Sequence, residues 1–329
     1  MTPPRPPFEP IQAGRKFVGN LPLEVGLEHP TLDIPVAIIC GQTEHPSIYI
    51  GAATHGDEVN GVEACRRLIR YLTPEQTNGR IVVVPVQNPL GLAARQRRNP
   101  LDGLEMDSVY PGRPDGSPTE RIAHLLYSEF ASKCDYVIDI HTATTGGRNI
   151  PHAYVPPHNA PNARLVDSFD LAKAFRPDLI IRTDTQVDYG FDLSHLSPFF
   201  AAKMGCRGIY VEMGEGNRLE ESYVERGFNG LLNVLRRIKC LPRVTTDDKE
   251  IEPRVVTRVS NLKSCATGLL RLKVELGSSV SRGQVVAEIC EPLGSVKTCL
   301  APLDGFVFRV QTHGAAFPGD NIVSIGYNS

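Results

Sequence analysis

Apolar and polar positions alternate along the chain on two length scales up to about residue 240. Short apolar runs with the length of buried strands are separated by longer segments whose apolar positions recur with helical period. This alternation of strand and helix patterns is typical of an α/β fold. The predicted strands cover residues 34–40, 47–53, 80–86, 136–141, 179–182 and 208–213, and the predicted helices cover residues 59–72, 118–133, 163–175, 198–204 and 221–239.

The clearest helix start is at Pro118. Ser117 precedes it and can cap the first turn, proline suits the first helical position, and Glu120 stands three residues after the serine. The sequence therefore predicts a capping box at this helix N-terminus.

The pattern changes after residues 241–253, a polar segment with two prolines that is predicted to be a linker. Residues 254–329 contain short β segments separated by glycines. Gly268 and Gly277 are nine residues apart, as are Gly305 and Gly314, which indicates two similar halves. The sequence therefore predicts an α/β domain at 1–240 and a small all-β barrel or sandwich at 254–329.

This C-terminal part resembles the biotinyl/lipoyl carrier domains through an Ala-Pro-x-x-Gly turn at residues 301–305. Those domains carry their modified lysine on a hairpin tip ahead of this turn. Here Gly294 stands seven residues before Ala301, and the nearby Lys297 falls on the returning strand. Covalent biotin or lipoate is therefore not expected, and a structural or lid role is.

Composition narrows the classes of partner. The chain has 329 residues, of which 41% are hydrophobic, and 35 basic residues nearly balance 37 acidic ones. Neither nucleic acid nor an anionic membrane is therefore the expected partner. No apolar run approaches the roughly 18 residues of a membrane span, and the proline-rich start does not resemble a secretion signal. We expect a cytoplasmic protein with reduced cysteines, and homo-oligomerisation is left open.

The first group of chemically suggestive residues lies at 51–58, where a predicted strand passes into a helix. Open α/β sheets bind their ligands at such strand ends. His55 and Glu58 are three residues apart and could hold one metal ion together. The structural alternative is that Glu58 stabilises the helix N-terminus and that His55 is an ordinary loop residue.

A second group lies on the predicted strand that ends at His141. Asp139 comes two residues earlier, so strand alternation puts both side chains on one face. His55, Glu58 and His141 would complete the set of two histidines and one carboxylate found in catalytic zinc sites. Asp139 would then either orient a ligand imidazole or make an ordinary buried hydrogen bond.

The third group is a glycine-rich strand end that carries Glu212 in an otherwise apolar run. Carboxylates are rarely buried without a partner or a task. Either a salt bridge with a neighbour such as Arg207 or a role as general base explains Glu212. Glu215 is expected to be a solvated loop residue.

In this order, the His-Gly-Asp-Glu motif, the Asp-x-His strand and the Glu-x-Gly strand resemble the succinylglutamate desuccinylase/aspartoacylase family. These proteins are zinc amidohydrolases related to the zinc carboxypeptidases, and the likeness covers nearly the whole chain. It implies a mixed sheet with helices on both faces and a C-terminal β domain. It also implies that His55, Glu58 and His141 bind one zinc ion per chain and that Glu212 is the catalytic base.

The segment between the first two groups resembles the part of the family that supplies an arginine to the scissile carbonyl. Alignment on Asn88-Pro89 and on Pro100-x-Asp102-Gly103 places this arginine at Arg97. The alternative is that Arg97 and its neighbours Arg95 and Arg98 form a solvated face.

The chain then departs from the family pattern Asp-Leu-Asn-Arg, whose Asn-Arg pair holds a substrate carboxylate. Asp107 and Ser108 stand at these two positions. A cation is lost and an anion gained, so a neutral or cationic N-acyl substrate is expected, with Asp107 pairing with an amine. Arg148, in a glycine-rich stretch, is a candidate to hold a carboxylate instead.

The sequence therefore predicts a zinc-dependent hydrolase that removes an acyl group from a small, not strongly acidic N-acyl amino acid or amine. One alternative is a metallocarboxypeptidase-like peptidase, which would need an open cleft. A second is a non-catalytic binding or adaptor protein. His152, His158, His195 and His313 are further candidates for a substrate pocket, or else ordinary loop and surface residues.

Overall fold

The computed structural model describes residues 12–24, 31–156, 166–182, 196–244 and 252–328. The strands in these residues are β1 (Lys16–Glu24), β2 (Thr31–Cys40), β3 (Ser47–Ala52), β4 (Arg80–Val84), β5 (Tyr136–Ala143), β6 (Gly147–Val155), β7 (Leu179–Arg182), β8 (Arg207–Glu215), β9 (Arg254–Val256), β10 (Arg258–Lys263), β11 (Gly268–Leu272), β12 (Ser279–Val280), β13 (Val285–Cys290), β14 (Val296–Leu300), β15 (Gly305–Gln311), β16 (Ala315–Ala316) and β17 (Asn321–Tyr327). The α-helices are α1 (Asn60–Tyr71), α2 (Pro89–Ala94), α3 (Pro118–Glu129), α4 (Ser168–Phe175), α5 (Ser197–Lys203) and α6 (Glu221–Arg237).

Thirteen of the described strands form one mixed sheet. Its main order is β1-β2-β4-β3-β5-β8-β6-β15-β17-β10, with β12 paired to β15 and β7 between β6 and β9. The central strands β4, β3, β5 and β8 run parallel, so their carboxyl ends meet at the same edge of the sheet. Of the residues predicted to carry the chemistry, His55 and Glu58 follow β3, whereas His141 and Glu212 lie near the carboxyl ends of β5 and β8.

Helices cover both faces of the sheet, as the sequence predicts. On one face α1, α4 and α6 pack their apolar positions, among them Leu68, Leu171 and Leu235, against the strands. On the other face α3 contributes Ile122 and Leu126 to a second core. The uniformly buried central strands are the ones that read as continuous apolar runs in the sequence.

The boundaries of several elements have local causes. The predicted capping box is present, with Ser117 N donating to Glu120 Oε2 at 2.9 Å. Strand β3 ends at Ala52 because Ala53 adopts a left-handed conformation with φ of 49°. The helix predicted at 163–175 begins at Ser168 with Asp167 as its cap, and residues 163–165 lie outside the described residues.

The C-terminal segment is a β sandwich. Strands β11, β13, β14 and β16 form a second, antiparallel sheet that packs on β15 and β17 of the large sheet. Val286 and Ile289 from one sheet share a core with Val307 and Ile325 from the other. Because β15 pairs antiparallel with β6, the sandwich shares its larger sheet with the α/β part of the chain.

The predicted division of the chain into domains at 1–240 and 254–329 stays a prediction. The linker at 241–253 is irregular at its two ends, and residues 245–251 lie outside the described residues. Gly294 lies in the turn between β13 and β14, and Lys297 lies on the returning strand β14. In the part of the chain that the structure describes, no helix is both long and apolar enough to span a bilayer.

Candidate metal centre and active site

The three predicted metal ligands come together at the carboxyl edge of the parallel strands. The left-handed turn at Ala53 directs His55 and Glu58 back over the end of β3. His141 lies on the neighbouring strand β5, directly opposite Glu212 of β8. The side chains of His55, Glu58 and His141 are all fully or almost fully buried. Strand adjacency in the sheet therefore brings together residues that are far apart in the sequence.

The donor atoms of these residues face one another. His55 Nδ1 lies 2.9 Å from Glu58 Oε1, and His141 Nδ1 lies 2.9 Å from Glu58 Oε2. The two Nδ1 atoms are 3.2 Å apart. Donors that surround zinc in a tetrahedron at about 2.0–2.1 Å are themselves about 3.3 Å apart. The observed donor set therefore fits a divalent ion of the size of zinc.

Carboxylates lie on the outer side of both rings. His55 Nε2 is 3.1 Å from Asp107 Oδ2 and 3.4 Å from Glu105 Oε1. His141 Nε2 is 3.4 Å from Asp139 Oδ1. Carboxylates placed behind metal-binding histidines fix the orientation of the ring and make the ligand nitrogen more basic. The contact of Asp139 with His141 is the one that strand alternation predicts.

Asp107 offers a second way to compose the ligand set. One donor atom each from His55, Asp107 and His141 lies within 4.8 Å of the other two. Asp107 Oδ2, however, contacts Nε2 of His55, whereas Glu58 contacts Nδ1. One imidazole binds one ion through one nitrogen. An ion at Nδ1 of His55 would therefore lie beside Glu58, whereas an ion at Nε2 would lie beside Asp107. The short contacts at Nδ1 favour the set that includes Glu58.

Electrostatics at this centre also favour a cation. Burial opposes a charge on His141, but Asp139 and Glu58 outweigh burial and raise its pKa to about 10. Burial likewise opposes ionisation of Glu58, but His55 and His141 lower its pKa below the usual range. Several buried carboxylates thus surround two imidazoles, an arrangement in which added positive charge is stabilising.

Glu212 lies at the side of this centre with a different environment. Burial and the charge of Glu58 raise its pKa to about 8. Its Oε2 accepts a hydrogen bond of 2.7 Å from Asn149 Nδ2. Arg207 stands five residues away on the same strand, hence on the opposite face, which does not favour the salt bridge considered as an alternative. A carboxylate with a pKa near neutrality is suited to accepting and returning a proton.

Arg97 lies next to the centre. Its Nη1 donates to Glu58 Oε1 at 3.2 Å, and its Nε donates to Glu105 Oε1 at 2.9 Å. Its neighbour Arg98 is more exposed, with a side chain 62% accessible against 31% for Arg97. Arg97 is therefore the arginine of this segment that the fold brings to the site.

The residues predicted to contact the substrate through the Asp107 segment are placed differently. The short 3₁₀ turn Met106–Ser108 buries Asp107 against His55 and leaves Ser108 exposed, with its Oγ donating to Glu105 O at 2.6 Å. Arg148 forms an ion pair with Glu220. None of the three is among the described residues that line the adjoining cavity. Their roles in substrate binding stay predictions.

A cavity of about 190 Å³ adjoins the centre. It reaches the centre through Arg97, Thr142 and Tyr210: Thr142 N donates to Glu58 Oε2 at 3.0 Å, and the Tyr210 ring stacks on His141 at 4.0 Å between centroids. The other described residues of its wall are Ala143, Thr144, Asn149, His152, Tyr154, Glu212, Asn261, Lys263, Phe308, Arg309, Asn321 and Ser324.

Much of this wall was missed by sequence reasoning. Five of its polar side chains, together with Phe308, come from the C-terminal strands, which the sequence placed in a separate lid or structural domain: Asn261, Lys263, Arg309, Asn321 and Ser324. One signal was available. Arg309 interrupts the apolar strand β15 in the way that Glu212 interrupts β8.

The four additional histidines separate into three cases. His152 is buried and lines the cavity, with Nδ1 positioned to donate to Ile150 O at 2.9 Å. His313 is an exposed residue that packs over Gly146. His158 and His195 lie outside the described residues.

The chain is similar to proteins of a known family. The model of the succinylglutamate desuccinylase/aspartoacylase catalytic domain matches residues 44–238, more than half of the chain. The chain belongs to the succinylglutamate desuccinylase/aspartoacylase family. The N-alpha-acetyl-L-2,4-diaminobutyric acid deacetylase of Halomonas elongata is 31% identical to it over 290 residues, which cover 85% of this chain and 79% of that protein.

Two solved structures share the fold of this family member. The product-bound ectoine utilization protein EutE (DoeB) from Ruegeria pomeroyi superposes with a TM-score of 0.85 at 24% identity, covering 98% of this chain and 99% of that one. An aspartoacylase family protein from Mesorhizobium loti has a TM-score of 0.77 at 26% identity, covering 97% of each chain. The predicted fold is confirmed, and so is the predicted class of enzyme, an amide hydrolase that removes acyl groups from small N-acyl compounds.

Proposed function

We propose that this family member is a zinc-dependent deacetylase of N-acetylated diamino acids, with the ion held by His55, Glu58 and His141. The observation that carries the proposal is the mutual approach of His55 Nδ1, His141 Nδ1 and the two Glu58 oxygens to 2.9–3.2 Å. A zinc ion bound there supplies Lewis-acid activation of the reacting groups. The cytoplasm remains its expected location.

The chain's own residues have distinct tasks in this proposal. Glu212 accepts a proton from the attacking water on a carboxylate oxygen and passes it to the leaving nitrogen. Asn149 holds that carboxylate in place through its hydrogen bond to Oε2. Arg97 faces the cavity and donates to the amide oxygen as negative charge develops there. Asp107 and Asp139 keep the two imidazoles oriented from behind.

Two observations support the proposed substrate class: the absence of an arginine at position 108 and the similarity to the Halomonas relative. Ser108 stands where the family pattern has an arginine that holds a substrate carboxylate, and it is exposed. The Halomonas relative is named for an N-acetylated diamino acid, and it shares 31% identity over most of both chains. A diamino acid carries one carboxylate and a free amine, so it does not require the missing cation.

The size of the cavity supports a small substrate over a peptide. Pockets for drug-sized ligands have about 300–1,000 Å³, whereas this cavity has about 190 Å³. Strands of the C-terminal sandwich form one of its walls, where a peptidase of the carboxypeptidase type would need an open cleft. A cavity of this size favours a single acylated amino acid over a peptide chain that extends on both sides of the scissile bond.

A substrate panel tests the proposal. Zinc-loaded protein should hydrolyse Nα-acetyl-L-2,4-diaminobutyrate with higher kcat/KM than N-acetylaspartate, N-succinylglutamate or a blocked dipeptide, and a chelator should abolish the activity. Preference for N-acetylaspartate would contradict the proposed substrate class. Full activity in metal-free protein would contradict the proposed zinc dependence.

A further inference from the structure

Arg309 is a partly buried cation in the wall of the cavity. It lies on β15, opposite Asn149 of β6 in the strand register, and Asn149 in turn contacts Glu212. Its Nη1 donates to the backbone oxygen of Asn321 at 2.9 Å. Within the described ranges, no carboxylate lies within ion-pair distance of this guanidinium.

Such a guanidinium has unused capacity for hydrogen bonding. Arginine carries five N–H donors in a planar fork that matches a carboxylate. Burial destabilises the charged form and lowers the pKa of Arg309, although the nearby Glu212 opposes this effect. A buried cation is costly unless an anion compensates it. The open side of Arg309 is the cavity.

The backbone leaves room for this side chain. A Cβ at Gly147 would lie 2.5 Å from Nη2 of Arg309, so the glycine allows the guanidinium to lie flat against β6. Lys263, an exposed residue of β10, adds a second positive charge to the same wall. The other polar groups that the sandwich contributes there are amides and a hydroxyl, those of Asn261, Asn321 and Ser324.

We propose that Arg309, assisted by Lys263, binds the carboxylate of the amino acid that the enzyme releases. This inference rests on the proposed deacetylase function and deepens it. The C-terminal sandwich then supplies the charge that selects N-acyl amino acids over N-acyl amines without a carboxylate.

A comparison of two substrates tests the subsite without any mutation. We expect the wild-type, zinc-loaded enzyme to show a KM about 10- to 100-fold higher for the α-carboxamide of Nα-acetyl-L-2,4-diaminobutyrate than for the acid, with a similar kcat. This is the range that hydrogen bonds to a charged group provide.

Two variants assign this difference to Arg309. Arg309→Met should raise the KM for the acid by the same factor and leave the KM for the carboxamide unchanged. Arg271→Met, on the outer sheet of the sandwich, should change neither.

Direct binding provides a readout that does not depend on turnover. In calorimetry with zinc-loaded protein, L-2,4-diaminobutyrate should bind more tightly than 1,3-diaminopropane, which lacks the carboxylate, and Arg309→Met should abolish the difference. Arg309→Lys keeps the charge but loses the fork, so it should retain part of the preference. This variant and the wild-type comparison decide the matter even if Arg309→Met does not fold.

The outcomes separate the two proposals. Equal kcat/KM for acid and carboxamide, or an Arg309→Met variant that loses both substrates to the same extent, would overturn the carboxylate subsite and leave the deacetylase standing. Failure to hydrolyse either compound would overturn the proposed substrate class instead. An Arg309-dependent preference for diaminobutyrate in calorimetry would still support the subsite in that case.

Discussion

Asn149 Nδ2 donates a hydrogen bond of 2.7 Å to Glu212 Oε2 across the antiparallel pair of β6 and β8. The bond fixes a carboxylate whose pKa burial has raised to about 8, at the edge of the cavity. One strand therefore presents the proposed base, and the next strand holds it in position.

Replacing Glu212 by glutamine should remove turnover and keep the metal. The amide has nearly the same shape but cannot accept a proton from water, so kcat should fall by about 10²- to 10⁴-fold, the usual contribution of a general base. Zinc content and the thermal unfolding temperature should equal those of the wild type. Substantial residual turnover in this variant would end the assignment of Glu212 as the base.

Replacing Asn149 by alanine should move the acidic limb of the pH–rate profile. The amide N–H stabilises the ionised form of Glu212, so its loss raises the pKa of the carboxyl group. The base is then protonated over a wider range, and the limb of kcat/KM moves to higher pH. Asn261→Ala, which alters the same cavity without touching Glu212, should leave the limb in place. A limb that moves down or stays would show that the hydrogen bond does not act on the base.

Arg97 and Arg98 form a matched pair for testing the arginine at the carbonyl. Arg97→Lys keeps a positive charge but loses the fork that contacts Glu58 and Glu105, so kcat should fall by about 10²- to 10³-fold, as when an oxyanion donor is removed. Arg98→Lys, on a largely exposed side chain 3.8 Å from Glu105, should change kcat by less than about twofold, in keeping with the small value of exposed ion pairs. Changes of less than about twofold in both variants would favour a solvated cationic face.

His152 should make the fold less stable as the pH falls. The residue is 1% exposed, and burial lowers its pKa to about 4. Below the unfolded-state value of about 6.5 the unfolded chain binds a proton that the folded chain does not, so the free energy of unfolding decreases between pH 6.5 and 4. By pH 5 this costs about 2 kcal/mol, at 1.36 kcal/mol per pKa unit.

Denaturant unfolding at pH 7 and pH 5 measures this effect. His152→Asn should show a smaller loss between the two pH values than the wild type, by about 2 kcal/mol. Effects of the metal ligands are common to both proteins and cancel in the difference. An equal pH dependence in the two proteins would mean that His152 takes up its proton in the folded state.

The sequence predicted the parts of the fold that depend on local pattern. Continuous apolar runs located the central strands, and the Ser117–Glu120 pair located a helix start. His55, Glu58 and His141 could be grouped because each lies at or just after the end of a predicted strand, and parallel neighbours meet at one edge. These inferences need only the period of the side chains and the topology of α/β sheets.

The parts that were missed depend on pairing between distant segments. Strand β6 contains Arg148, Asn149 and His152, so its sequence does not read as a buried strand. The first part of β6, residues 147–149, is paired with β15 from the far end of the chain. The same pairing brings Arg309 to the cavity. The contact of Asp107 with His55 was also missed, because it depends on the turn that carries Asp107 and not on a local pattern.

The metal content of two alanine variants tests the central claim most directly. Glu58 and Asp107 are both buried carboxylates in contact with His55, on opposite nitrogens of the ring. After loading with zinc and dialysis, elemental analysis should find about one ion per chain in the wild type, close to that in Asp107→Ala, and almost none in Glu58→Ala, because loss of a ligand is more severe than the 10- to 100-fold loss of affinity expected behind a ligand. Zinc retained by Glu58→Ala and lost from Asp107→Ala would contradict the account.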